Sequence, residues 1–402
     1  MYTIHADGTL IYDSTLEDYK IGQGEITKEI DKSGSFVFSL YPEHFYYDRF
    51  VKMKTVLTVR KSDKIAFRGR ALDDGADYIN CKLFTCEGEM GFLQDSIIRP
   101  YTFQGTPEEL FRWYIEQHNS QVDEFKRFKV GTCTVVDPNG YIARENTAYE
   151  NTLTNMNSRL LEDATGGHFY ITHGDDGTEE MPTIHYVSDF TKVASQPIEF
   201  GVNLRDFVKK TNAGDIATAI IPLGAPVGEG DGEKEAPKLT IAAVNNGLDY
   251  VYSEKGVALY GWIFKTAEWE DVTKADILKT KAEAAVEESV NQTITIELTA
   301  VDMHLLDRSI ESYGVCEYVP VISPPHNFQD TLLCNKQTMN LLNPANDTVT
   351  LGHTFMTFTE RSARNTSNIS NTLNQFKNKV VQKGADLKLT IVDGKLCATY
   401  TA

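Results

Sequence analysis

Ser35-Phe36-Val37-Phe38-Ser39-Leu40 places large apolar side chains at 36, 38 and 40, every second residue. Period two marks a half-buried strand, because successive side chains point to opposite faces. Two more such runs lie at 55–60 and 65–71, around the polar turn Lys61-Ser62-Asp63-Lys64. Upstream, Tyr2-Thr3-Ile4 and Leu10-Ile11-Tyr12 flank Asp7-Gly8, a hairpin signal. Short strands with frequent turns predict a small barrel or sandwich over residues 1–100.

Composition changes at Gly105. Thr106-Pro107-Glu108-Glu109 has capping-box spacing with proline at the first helical position, and Leu110, Phe111, Tyr114 and Ile115 supply an apolar face. Tyr149, Leu153, Met156 and Leu160 predict a second helix near 146–164, stopped by Gly166-Gly167. Strands are expected at 168–172 and 183–187, so 101–200 reads as α+β. Phe207-Val208 and Ala217 to Ile221 are strand-like, and the glycine-rich acidic run 228–235 is an exposed excursion. A helix over 271–290, capped by Asp271 or Thr273, carries Ile277, Leu278 and Val286 on one side; strands return at 293–298, and 313–358 reads as short strands with turns. Within the polar stretch 362–383, Ile369, Leu373, Phe376 and Val380 fall at spacings of four, three and four, a short heptad seam. A hairpin around Val392-Asp393-Gly394-Lys395 ends the sequence.

The 402 residues are 41% hydrophobic and 24% charged, the balance of a folded chain with several cores, and their length allows about two to four domains. The net charge of −18 disfavours broad binding to nucleic acid or anionic lipid. No apolar stretch approaches the ~18 residues of a membrane-spanning helix, and the N-terminus lacks the pattern of a secretory signal. Cys81, Cys86, Cys133, Cys316, Cys334 and Cys397 are scattered and are read as reduced thiols.

Catalytic patterns are missing. His168 and His173 are expected on opposite faces of a strand; with His185 they make a poor ligand set, and there is no HExxH or CxxC. The acidic turns 174–180 and 228–235 lack calcium-loop spacing and are read as solvated. There is no GxSxG elbow, phosphate loop or GxGxxG. Cys81 and Cys86 have no histidine near in sequence, and Asp73-Asp74 and Glu87/Glu89 are ordinary pairs in an acidic chain. Catalytic, cofactor and metal sites are therefore expected to be none. The physics alone ends at a β-rich α+β multidomain structural or binding protein. Trp262 and Trp269 would serve a carbohydrate-binding module if they were exposed.

Four stretches resemble the N-terminal hub region of prophage tail proteins. The first is 34–48, with Ala66-Phe67-Arg68-Gly69-Arg70-Ala71 and Cys86-Glu87-Gly88-Glu89 through Phe92-Leu93-Gln94-Asp95-Ser96 to Arg99-Pro100. The second and most specific is Gln196-Pro197-Ile198-Glu199-Phe200-Gly201-Val202-Asn203-Leu204, leading to Ile221-Pro222-Leu223-Gly224. The third is Leu259-Tyr260-Gly261-Trp262-Ile263 with Asp271-Val272-Thr273; the fourth is Ala300-Val301-Asp302-Met303, Asn343-Pro344 and Leu351-Gly352. Ser312 to Glu317 stands where the family carries L-G-D. The resemblance runs in the family's order over about residues 10–360.

That resemblance implies a trimeric tail-tip or baseplate hub, similar to the hub of contractile phages, with two small β-barrels per chain. Residues 1–100 would be the first barrel and 205–240 with 293–360 the second. Peripheral α+β insertions would cover 101–204 with 241–292, and 361–402 a heptad helix and hairpin. Its implied partners are two further copies, the distal tail protein, other tip and tube proteins and the tape measure protein. Neither specific nucleic-acid binding nor membrane insertion is expected. The place would be the phage virion, after synthesis in bacterial host cytoplasm. The alternatives are the hub of a tail-associated cell-wall endopeptidase, whose hydrolase would lie downstream, and a host-attachment module. With the sequence ending at Ala402, the expectation is no enzyme, no cofactor, and oligomerisation through Ile369, Leu373, Phe376 and Val380.

Overall fold

The computed structural model describes residues 2–16, 19–137, 140–162, 166–174, 181–212, 216–227, 237–269, 272–290, 293–352, 386–392 and 395–401. The chain divides into two compact units: one of Met1–Leu161, Thr165–Lys210 and Thr295–His353, the other built on Thr211–Ile294. The C-terminal pair Asp386–Val392 and Lys395–Thr401 forms the expected antiparallel hairpin.

Among the described residues the first unit is organised by one sheet of thirteen strands. From one edge it runs Leu204–Asn212, Thr293–Ala300, Thr348–Gly352, Phe328–Asn340, Gly24–Glu29, Ser35–Leu40, Lys82–Gly88, Lys64–Ala76, Val56–Lys61, Tyr2–Ala6 and Thr9–Asp13. Tyr318–Ser323 also pairs with Phe328–Asn340, and Ile198–Glu199 pairs in parallel with Tyr318–Ser323. The β-rich expectation thus stands, and residues 313–358 hold a thirteen-residue strand rather than only short ones. That strand joins the two β blocks of the sequence: Lys336 to Asn340 pair antiparallel with Glu29 to Glu25.

The alternation at 35–40 has the meaning read from it. Phe36, Phe38 and Leu40 are fully buried, Phe38 stacks on Phe36 and Phe84, and Met339 and Leu341 enter the same core from the far end of the chain. Bulges at Ile4/His5, Val59/Arg60, Ala71/Asp73 and Cys334/Lys336 bend the strands, as an extra residue in one ladder does.

A second core gathers on α1, Pro107–Asn119. The capping box is present: Thr106 Oγ1 accepts from the Glu109 amide at 3.2 Å, and Glu109 Oε2 accepts from the Thr106 amide at 2.8 Å. The next helix begins later than its periodicity suggests. α2 is Thr152–Met156, continued by a π-helical turn at Asn157–Glu162, and Tyr149 is 73% exposed outside it. Two asparagines set that start. Asn146 folds its side chain onto Ala148, and Asn151 Oδ1 accepts from the Thr154 amide at 2.8 Å as the N-cap.

In the second unit Ala219–Leu223 lies between Val251–Tyr252 and Phe264–Glu268 in a separate three-stranded sheet. α3 is Glu254–Tyr260, and α4 is Ala275–Val290, four residues shorter at its start than 271–290. Leu278 and Val286 of α4 are buried with Ile220 and Ala267, and Ile277 is half-buried against them.

Candidate functional site

The carboxylates Glu87 and Glu89, candidates for an acid–base pair, are taken by arginines. Arg68 and Arg70 alternate along Lys64–Ala76 and so share a face. Arg70 Nε donates to Glu87 Oε1 at 2.7 Å, and both Arg70 Nη atoms reach Asp95, which Lys126 also holds at 2.8 Å. Arg68 Nη1 donates to Glu89 Oε2 at 3.0 Å, and its Nη2 donates to the Phe125 carbonyl at 3.0 Å. Phe92 lies beneath both guanidinium groups, with ring centroids 5.8 and 5.4 Å away. Gly69, between the arginines, has to be glycine, because a Cβ there would fall 2.0 Å from the Glu87 carbonyl oxygen. Glu87 and Glu89 are thus partners in a structural lattice, and no open pair of carboxylates flanks a cleft there. The sequence signal was available in Arg68-Gly69-Arg70, but its partners lie on other elements.

The cysteines and histidines are likewise engaged in packing. Burial alone pushes the Cys86 thiol far up, and burial pushes Cys316 up to about 12, the reverse of an activated nucleophile. His168 Nδ1 pairs with Asp31 Oδ2 at 2.8 Å while Asp31 Oδ1 accepts from the Phe169 amide. His185 Nδ1 accepts from the Thr132 amide at 3.0 Å, its Nε2 lies 2.9 Å from Thr172 Oγ1, and burial lowers its pKa. His173 Nε2 lies 2.8 Å from Glu89 Oε1, out of line for a hydrogen bond. The three histidines thus have separate partners, and no group of three or more His, Cys, Asp or Glu that could hold a metal occurs among the described residues.

Asp73 and Asp74 bind Lys52 at the surface, at 3.4 and 2.5 Å. Cys81 is half-buried between a turn and the strand Lys82–Gly88. Of the acidic turns, 175–180 and 228–235 lie outside the described residues, as do Ile369, Leu373, Phe376 and Val380. Trp269 is half-buried against the second unit's core, whereas Trp262 is 53% exposed. No helix among the described residues is long and apolar enough to cross a membrane.

The strand order can now be set beside known structures. The chain is similar to the 43 kDa tail protein of prophage MuSo2 from Shewanella oneidensis, with 15% identity, 87% of this chain and 97% of that one covered, and a TM-score of 0.57. The tail protein from Neisseria meningitidis MC58 matches at 12% identity, 90% and 99% coverage and a TM-score of 0.54. The prophage tail protein gp18 from Listeria monocytogenes EGD-e matches at 13%, 92% and 99%, with a TM-score of 0.53. The chain has the fold of prophage tail proteins. Residues 192–362 match the family described as prophage endopeptidase tail. None of the curated proteins matches the sequence. The resemblance read from the sequence to prophage tail proteins is therefore borne out. The matched span takes in its most specific segment, Gln196 to Leu204, which supplies the short strand Ile198–Glu199 of this prophage tail fold.

Proposed function

We propose that this chain is a structural component of a phage tail tip, a baseplate hub, and not an enzyme. Copies would join as a homotrimeric ring that adapts the tail tube to the parts beyond it. One observation carries the reading: both β blocks belong to one sheet whose path, among the described residues, ends in two different strands, Leu204–Asn212 and Thr9–Asp13. A sheet edge is a ready template for another chain, and head-to-tail joining of unlike edges generates a ring when the rotation closes. Matching the fold of tail proteins supports the same assignment.

The finer assignments rest on this reading. Residues 1–100 would form one hub barrel, with the second drawn from 205–240 and 293–360 and insertions at 101–204 and 241–292. Ala219–Leu223, within 205–240, pairs instead with Phe264–Glu268 of the 241–292 span, so such a barrel would have to draw on the remaining residues. The stripe Ile369, Leu373, Phe376 and Val380 would bring three copies together, since a heptad this short gains stability only through association. Partners would be the distal tail protein and other tip, tube and tape measure proteins. The finished protein would reside in the virion after synthesis in the host cytoplasm. A net charge of −18 suits a wall past which DNA moves without binding.

Light scattering tests the reading. A trimer, alone or after mixing with tail partners, is expected; a stable dimer at micromolar concentration would sink it. Leu373→Asp with Phe376→Asp should leave the β circular dichroism unchanged and abolish self-association. A mutant that stays trimeric removes the stripe from the assembly surface.

A further inference from the structure

The second unit carries a cluster of aromatic rings that neither its core nor the tail-tip reading uses. Tyr252 and Phe264 lie opposite Ala219 on its two sides, so both rings stand on one face of the three-stranded sheet. Trp262 bridges them, 5.2 Å from Tyr252 and 5.6 Å from Phe264, nearly parallel to the latter at 12°. Tyr250 stands perpendicular to Trp262 and near-perpendicular to Phe264. Tyr252, Trp262 and Phe264 are 44%, 53% and 48% exposed. Single exposed rings are ordinary, but a contiguous cluster of them is the kind of surface that marks a binding site. The Tyr250 and Tyr252 hydroxyls and the Trp262 indole N–H make no hydrogen bond among the described residues.

The platform is held from below. Thr218 is fully buried, and its hydroxyl donates to the Gly261 carbonyl and accepts from the Ile263 amide, each at 2.7 Å. The Thr218 amide bonds back to the Ile263 carbonyl at 2.9 Å. These bonds bracket Trp262 on both sides. Gly261 supplies the turn into it at a φ of +73°, a left-handed value natural to glycine. A half-exposed indole on a fixed backbone has little conformational freedom left to lose on binding.

We propose that this face binds a neutral polysaccharide of equatorially linked hexoses. Such a sugar presents a flat face of C–H groups for the rings and an edge of hydroxyls for the free phenol and indole groups. The rings touch one another, at 5.2–6.4 Å between centroids, so no cation fits among them and the ligand lies across the top. Three half-exposed aromatic side chains offer roughly 300 Å², well short of the ~800 Å² a stable protein partner buries but ample for a few sugar units. The chain's net charge of −18 opposes polyanions.

The test is isothermal titration of the full chain with cellohexaose and with the tetramer of N-acetylglucosamine. Saturable binding of at least one is expected, weakened at least about tenfold by Trp262→Ala and measurably by Tyr252→Ala. Both positions are exposed, so the fold tolerates the changes. The proposal fails if neither sugar binds, or if Trp262→Ala binds as the parent does. It also fails if Trp262→Ala reduces self-association in light scattering while sugar binding is absent, for then the rings are a contact between copies.

Discussion

Lys61 and Asp302 meet as a buried ion pair, their side chains 7% and 1% exposed. Lys61 closes the strand Val56–Lys61 and Asp302 follows the strand Thr293–Ala300, so the pair ties together the two β blocks of the first unit a second time. Ser312 Oγ accepts from Lys61 Nζ at 3.0 Å, and Asp302 Oδ1 accepts from the His304 amide at 3.0 Å. Removing one member of a buried pair leaves an uncompensated charge at a cost of about 3–5 kcal/mol. Lys61→Met should lower stability by that order in urea titration, and Lys61→Met with Asp302→Asn should recover part of it. A single mutant within ~1 kcal/mol of the parent would show the pair to be incidental.

Asp347 predicts a pH dependence. Its side chain accepts from the Asn340 amide at 2.7 Å, but its second oxygen is buried without a partner, as are the Tyr2 and Tyr313 hydroxyls. Burial pushes its pKa up to about 7 despite the Asn340 amide and Lys61, and the Asp302 charge adds to the rise. The folded state therefore holds this proton more tightly than the unfolded chain, whose carboxyl titrates near ~3.9. Stability contributed by the neutral form is full below about pH 4 and declines as pH rises through 7. Asp347→Asn keeps the acceptor and removes the titration. Its melting temperature should exceed the parent's at about pH 8 and match it at about pH 4; an unchanged pH slope would refute the assignment.

Catalysis is expected to be absent. Purified protein incubated with Gram-positive cell walls, with or without added Zn²⁺, should release neither peptides nor reducing sugars. Cys86 lies in a core with its thiol pushed up by burial, and His168 is committed to Asp31. Hydrolysis that disappears in Cys86→Ala or His168→Ala would overturn this expectation.

What the sequence disclosed was local. The alternation at 35–40 and the capping box Thr106–Glu109 each depend on a few neighbouring residues, and both formed as read. The late start of α2 was hidden because Asn146 and Asn151 draw the backbone into turns that compete with the apolar period of Tyr149, Leu153, Met156 and Leu160. The seam of Thr27 against Thr338 spans 311 positions, and no short pattern announces a partner so distant. Trp262 could be singled out by type, but the backbone around it is held by Thr218 and Ala219, well earlier in the chain. Of the candidate sites, only the carboxylates beside Arg68-Gly69-Arg70 carried a nearby clue to their structural use.

Arg70 makes the sharpest test of that lattice. It is 2% exposed, lies over Phe92, and binds Glu87 and Asp95 together. Burial would raise the pKa of Asp95, but hydrogen bonds from Arg70 and Lys126 outweigh it and hold the carboxyl below its usual range. A lysine offers one point charge where the guanidinium offers a planar fork, so Arg70→Lys should cost about 1–3 kcal/mol. Arg70→Met leaves Glu87 without its partner and Asp95 with Lys126 alone, and should cost about 3–5 kcal/mol. A depressed carboxyl pKa stabilises the fold above its unfolded value of ~3.9 and loses that contribution as pH falls through the folded value. The acid limb of the parent's stability curve should therefore flatten in Arg70→Met. Because the arginine links Lys64–Ala76 to the turn Glu89–Asp95, amide exchange should accelerate at 89–95 before it does in the Phe36–Phe38 core. Uniform acceleration across the sheet would mean that Arg70 supports the whole fold and not this junction.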